Sequence, residues 1–388
     1  MSRLLFAVLL LLIPTFMGST PVLAIRAPMF LTSIQMMNAR VGWGVSNRFV
    51  FRTVDGGQNW LGVMPCGIPR QHQLATFFLS SDDAWIAVTA ASGAKIVSSK
   101  PSPVTIFRTI DGGRTWQSFR VPVQGSVEPF GRLTFANRHD GWLWLNEGVA
   151  AGNASYILLR TVDGGRQWTR TAVSQPFRRS AGAFPGCDCA RAITFHDGAA
   201  GWATGSTLGP PAPFLWMTRN GGYRWRHQSF RLPRGYNFYQ TYAPVFFDRR
   251  EGILPVQLVR GRSIDVFDAY LTHDGGLSWT STAPLVLPEP AQRVPQPAFS
   301  FADRSHGWIS SGWDLYRTTD AGSHWVKLHP KDPFHAVAQL DFVGPKVGFA
   351  VIQFINGYEP PYFFKTIDGG QTWRVVSTYS LSRARRCV

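Results

Sequence analysis

Glutamate is scarce in this chain. Of 388 residues only five are Glu (Glu128, Glu147, Glu251, Glu289 and Glu359) and only six are Lys. Acids so thinly spread form no evident pair at the spacing that glycosidic acid–base chemistry needs. There is no His-rich metal motif, no nucleophile elbow and no glycine loop for phosphate. Beyond the first residues no segment is apolar enough for a membrane helix. The expectation is therefore no catalytic residue, no metal and no cofactor.

What is present is aromatic, small and basic. The chain holds 15 Trp, 28 Phe, 38 Gly and 27 Pro, and only 16% of it is charged. Short strands with many turns and many aromatics suit an all-β protein. The net charge is +16, mostly from arginine. Arg3, the apolar run Leu4–Ile13 and the small-residue site Val22-Leu23-Ala24 read as a signal peptide over 1–24, leaving 25–388 as an exported, extracytoplasmic chain. In that compartment the charge points to a protein partner or an anionic envelope surface, with a glycan as a further candidate. Nucleic acid is excluded, no span remains after cleavage, and a monomer is expected.

An eight-residue turn recurs seven times: Thr53–Trp60, Thr109–Trp116, Thr161–Trp168, Thr218–Trp225, Thr272–Trp279, Thr318–Trp325 and Thr366–Trp373. Its tryptophans lie 46 to 57 residues apart, the period of a propeller blade. In Thr-x-Asp-x-Gly-x-x-Trp the carboxylate accepts from the turn's own N–H groups, glycine takes a positive φ, and Trp packs back over the hairpin. The acceptors are Asp55, Asp111, Asp163, Asn220, Asp274, Asp320 and Asp368, read as turn staples and not as catalytic acids. Asn220 replaces Asp in repeat four, and Ala321 replaces the first Gly in repeat six.

Each repeat reads as four strands, giving blades at 28–65, 74–122, 131–173, 191–231, 243–283, 297–329 and 337–379. The second strands begin with Trp43, Trp85, Trp142, Trp202, Ile253, Trp308 and Phe349, six of them after Gly. These large residues are expected to pack between blades. A basic residue precedes the turn Thr in five repeats: Arg52, Arg108, Arg160, Arg317 and Lys365. It reads as a solvated outward face, or alternatively as an arc that recognises an acidic partner. Extra length falls in second-to-third loops (Ala90–Val104, Asn146–Ser155, Thr204–Pro213, Ile355–Pro361) and between blades (Ser174–Ala190, Leu232–Ala243, Pro284–Pro297). All of it opens on the face opposite the turns, which marks that face for binding. The segment Arg231–Pro244 stands out there, and its Arg231, Arg234, Tyr236, Phe238, Tyr239 and Tyr242 are the candidate binding residues.

Four cysteines in an exported chain suggest disulfides. Cys66 follows repeat one and Cys387 follows repeat seven, so a Cys66–Cys387 bridge could close a ring. Cys187 and Cys189 could be oxidised, free or metal-bound.

The turn matches the Asp-box, or BNR repeat, which also occurs in sialidases. A sialidase resemblance implies three carboxylate-gripping arginines and a Phe/Tyr-Arg-Ile-Pro motif ahead of the first turn. FRVP (Phe119–Pro122) and FRLP (Phe230–Pro233) instead follow a turn Trp as repeat exits, so no sialoside hydrolysis is expected. Across essentially the whole mature chain the sequence resembles the photosystem II stability/assembly factor family and its bacterial relatives. That resemblance implies a seven-bladed β-propeller of four-stranded antiparallel blades, each with an Asp-box hairpin. It implies a non-catalytic binding or assembly scaffold, aiding a membrane-protein complex from the extracytoplasmic side, and not an enzyme. The alternative is a carbohydrate-active propeller, either a sialidase-like glycosidase or a lectin-like glycan binder.

Overall fold

The computed structural model describes residues 31–46, 49–68, 72–90, 104–123, 128–150, 153–174, 183–184, 190–208, 213–236, 238–260, 264–287, 297–311, 314–330, 337–352, 362–377 and 381–382. Every regular element among them is a β-strand, and no helix is long and apolar enough to cross a membrane. Residues 1–24, read above as a signal peptide, and Cys187, Cys189 and Cys387 lie outside the described residues, as do most of the long insertions.

The strands form antiparallel meanders. Repeat three shows the plan: Glu128–Phe135, Gly141–Ala150, Asn153–Thr161 and Thr169–Ser174 pair in sequence order. Repeats two, six and seven form four-stranded sheets of the same order. Repeats four and five share one ten-stranded sheet, because Phe238–Thr241 pairs on one side with Ser206–Leu208 and on the other with Val256–Val259. Repeat one carries a fifth strand: Leu381–Ser382 lies parallel to Trp60–Leu61. Leu381–Ser382 thus covers the outer edge of the first sheet.

The first strands of the repeats stand side by side around one axis, and the ring closes. Gln339 accepts from Ile34 N–H (2.9 Å) and donates to Ile34 C=O (2.7 Å), across 305 residues of chain. The result is a β-propeller. Its core lies between sheets, as the Gly-Trp pattern predicts. Trp142 stacks on Phe195 and Trp308 on Phe342, each with ring centroids 3.6 Å apart. Trp85 stacks on Phe135 at 4.0 Å. In each pair the Phe ends the next repeat's first strand. The same Phe covers the glycine that opens its own repeat's second strand, so a Cβ at Gly201 would meet the Phe195 ring at 2.4 Å. The indole N–H groups of Trp85, Trp142 and Trp308 donate to Gly164, Gly221 and Gly369 C=O in the next repeat's turn.

The turns are stapled by two side chains. In repeat three, Thr161 Oγ1 donates to Asp163 Oδ1 (2.8 Å) and accepts Gly165 N–H (2.9 Å), while Asp163 Oδ1 accepts Arg166 and Gln167 N–H. All seven Thr make these two bonds, Thr218 with Asn220 in place of Asp. The sequence reading credited Asp alone, yet the buried Thr hydroxyl is the hub. Trp168, Trp225 and Trp373 close the turn by donating to the carbonyl of its second glycine.

Candidate functional site

The Arg231–Pro244 segment is not a free aromatic loop. Phe238–Thr241 is the strand that joins repeats four and five. Tyr239 is buried among Leu254, Val256 and Leu258, and its hydroxyl donates to Tyr236 C=O. Tyr236 packs against the same cluster. Tyr242 donates to Gln257 Oε1 and sets its ring against Phe299 at 4.9 Å. Tyr270 ties the segment down by donating to Arg231 C=O, with Phe230 against its ring. Of the six expected binding residues only Arg231 and Arg234 are exposed, and Phe238, Tyr236 and Tyr242 are half-buried. Phe238–Thr241 is paired on both sides and all but Phe238 are buried, where the aromatic pattern had suggested a loop.

The five basic residues ahead of the turns also sit elsewhere than expected. They are clasps between repeats. Arg52 lies 5.8 Å from the Trp43 ring, Arg108 5.2 Å from Trp85, Arg160 5.5 Å from Trp142, and Lys365 5.2 Å from Phe349. Each head then crosses to its neighbour. Arg52 reaches Ser81 C=O and Asp82, Lys365 reaches Ala39 C=O, and Arg317 abuts Gly369. Burial, with the positive charge of Arg166 nearby, pulls Arg108 below the usual arginine range. Aromatic contact and partial burial replace the solvated face.

The polar groups that remain without such work are on the first strands, around the axis. One position before the strand-ending residue, three repeats make the same kind of bond to the next first strand. Gln35 donates to Phe78 C=O, Ser300 accepts Phe342 N–H, and Asp341 accepts Met36 N–H. These bonds satisfy backbone groups on sheet edges that face the axis. Asp341 is the ionisable member of the three. Protein surrounds its carboxyl on nearly every side, yet the residue as a whole is only half-buried. Burial pushes its pKa up to about 6, and the Met36 N–H bond offsets that only in part. Its Oδ1 has no hydrogen-bond partner among the described residues.

Two arginines occupy the same inner layer. Arg132 donates from Nε to Arg191 C=O at 2.9 Å, linking the first strands of repeats three and four. Burial, followed by repulsion from Arg191, lowers the Arg132 pKa. Arg132 nevertheless keeps an exposed surface, as Asp341 does in part. The sequence reading named neither arginine and not Asp341. Among the described residues no group of three metal-ligating side chains occurs. Asp268 is sealed from solvent, with its pKa raised by burial and Oδ2 held by Ser281. It is a core carboxyl and not a site.

No family model and no curated protein matches the chain. Solved structures do. The GH74 xyloglucanase of Xanthomonas campestris superposes over 90% of this chain with a TM-score of 0.57 and 15% identity. The chain spans 55% of that enzyme's length. A GH93 α-L-arabinofuranosidase of Fusarium graminearum aligns over 78% of this chain and 95% of its own, at 11% identity and a TM-score of 0.45. The Hadza microbial sialidase Hz136 aligns over 88% and 74%, at 12% identity and a TM-score of 0.39. The first of these establishes the propeller fold. The comparisons carry the broad resemblance to repeat propellers and not the finer one to photosystem II assembly factors. The expectations of a non-catalytic assembly scaffold and of no enzyme are corrected, since the neighbour that establishes the fold is a xyloglucanase.

Proposed function

We propose that this chain is a carbohydrate-active propeller that cleaves a polysaccharide at the ring's axis, with Asp341 as the general acid. Asp341 is the single observation that carries the reading. Gln35 and Ser300 hold neighbouring first strands together with neutral side chains, so the ring does not require a carboxylate there. A carboxyl kept near pKa 6 by burial is protonated often enough at neutral pH to deliver a proton to a leaving oxygen. Arg132 and Arg191 would orient hydroxyl or carboxylate groups of the sugar. The propeller likeness to a xyloglucanase supports the substrate class. We further read the ten-stranded sheet as two fused blades, giving seven Asp-box blades, in an exported protein. We also read the bond of Cys66, which is disulfide-bonded, as made to Cys387. Each cysteine lies six residues beyond a member of the parallel Trp60–Leu381 pair.

The test is release of reducing ends from a panel of plant and microbial polysaccharides by the purified protein and by Asp341→Asn. Cleavage should fall about 100-fold or more in the variant. Asn keeps the acceptor for Met36 N–H and removes a charge whose ionisation opposes folding. Native Asp341 binds its proton more tightly than the unfolded chain does. Stability is therefore lost as pH rises from about 4 through about 6, and the variant should escape that loss. Cleavage undiminished by Asp341→Asn removes the acid assignment. Binding without cleavage in the native protein would leave a lectin-like glycan binder.

A further inference from the structure

Repeat four departs from the common pattern at several neighbouring positions. Met217 stands where five repeats have the basic clasp, and Asn220 stands where the others have Asp. Arg219, Arg224 and Arg226 crowd the same hairpin, all exposed. No ion pair joins any of the three to a carboxylate among the described residues. The clasp's task passes to Gln228, which accepts from Trp202 Nε1 (3.3 Å) and donates to Gly276 C=O (2.7 Å) and Leu277 C=O (2.9 Å). In repeats two, three and six the indole reaches the neighbouring turn directly. Here a glutamine relays it, and the space of the missing clasp stays open.

That space is a cleft of about 540 Å³ lined by Met217, Leu277, Gln228, His227 and the three arginines. Its volume falls within the roughly 300–1,000 Å³ typical of small-ligand sites. The floor is apolar and the rim cationic. His227 is held by Pro213 C=O (2.9 Å) and by the edge of Trp216, with centroids 5.5 Å apart. Tyr223, half-exposed, stands on the same hairpin.

We propose that this cleft binds an acidic polysaccharide segment, its uronate or sulfate groups on Arg219, Arg224 and Arg226 and a sugar ring against Met217 and Leu277. Guanidinium forks suit carboxylate and sulfate oxygens. A concave site with an apolar floor suits a sugar ring better than a bilayer surface or a duplex. The site lies on the turn side of the propeller, opposite the face that the insertions pointed to. It stands apart from Asp341, so it holds or fails independently of the hydrolytic reading.

The test is calorimetric titration of the mature protein with oligogalacturonates, with sulfated oligosaccharides of matched length and with neutral xyloglucan oligosaccharides, at two salt concentrations. The two acidic series separate uronate from sulfate recognition. Replacing all three arginines by Gln should weaken acidic binding about tenfold or more and flatten its salt dependence. Replacing Arg166 and Arg170 on the repeat-three hairpin should change neither. Met217→Arg is the decisive variant, because it adds positive charge while restoring the side chain that fills the cleft elsewhere. It should weaken binding. If Met217→Arg binds as well as the native protein or better, the attraction is diffuse charge and the proposal fails. Duplex DNA or anionic vesicles held as tightly, through the same residues, would overturn the glycan assignment. Asp341→Asn should leave acidic binding unchanged. Thermal unfolding of each variant confirms that it is folded.

Discussion

Two kinds of junction hold this ring together. At five of them a cation from one repeat reaches the neighbouring turn or loop, and at four of these it also lies over an aromatic ring. At the two junctions that flank repeat five the equivalent residues are Met217 and Leu271. There the chain uses other means: the shared strand Phe238–Thr241, the Gln228 relay, and an ion pair between Arg304 and Asp248. The clasped junctions spend their arginines on structure. The unclasped one at Met217 leaves its arginines facing solvent around a cleft. Repetition therefore identifies the structural cations, and the break in repetition identifies those available for a ligand.

The broadest way to sharpen this contrast is acid. Hydrogen bonding from the His324 side chain and N–H holds Asp320 down to about 2. Asp274 also sits at about 2, where burial is outweighed by bonds from the Ser278 hydroxyl and N–H. Asp55, Asp111, Asp163 and Asp368 are lowered as well. A folded-state pKa below the unfolded one contributes stability that is full above about pH 4 and lost as pH falls through about 2. The unfolding midpoint should drop steeply across that window. Hydrogen exchange should show six hairpins loosening while the Asn220 hairpin, which does not titrate, holds. Uniform loosening would mean that the turn carboxylates do not set the acid limit.

Next comes the core of a clasped junction. Trp142→Ala removes a ring stacked on Phe195 and an N–H bond to Gly221, and should cost about 3–5 kcal/mol in urea unfolding. Arg160→Met copies the repeat-four solution into repeat three. It deletes the ion pair to Asp140 (3.0 Å, both partners mostly buried) and the contact with Trp142, and should cost about 1–2 kcal/mol. A neutral result would show that the clasps are ornamental and would weaken the meaning given to Met217.

The repeat scaffold was legible because a turn with one required geometry keeps its Thr, its second Gly and an Asp or Asn acceptor wherever it recurs. The direction of the basic residues was not legible. A third strand alternates faces, and sequence alone does not say which face meets the next sheet. Asp341 was hidden for a related reason. Its strand was recognisable from Leu340 and Phe342, but its position in the inner layer depends on the register between sheets. Tyr239 misled because a strand with one aromatic side buried looks, in sequence, like a loop rich in contact residues. Repeat four's cleft was hidden for the same reason as the basic residues, since it depends on which way Met217 and the flanking arginines face.

The smallest predicted effect concerns the other irregular turn. Ala321 occupies the place of the first turn glycine and sits at φ 61°, the one non-glycine residue with positive φ among those described. A Cβ in that region costs about 1–2 kcal/mol, while glycine costs roughly 0.5–1 kcal/mol in added unfolded-state freedom. Ala321→Gly should therefore stabilise the protein by about 0.5–1 kcal/mol, seen as a small rise in the unfolding midpoint with an unchanged denaturant slope. The same exchange in reverse, Gly164→Ala, should destabilise by more. There the added Cβ would meet the Arg108 head at 2.1 Å and Arg138 C=O at 2.7 Å. Repeat six lacks that crowding because the residue clasping toward it would be Leu271, which has no charged head. If both substitutions shift stability equally, the clasp does not shape the turn beside it, and the tolerance of Ala321 has no connection to the missing cation.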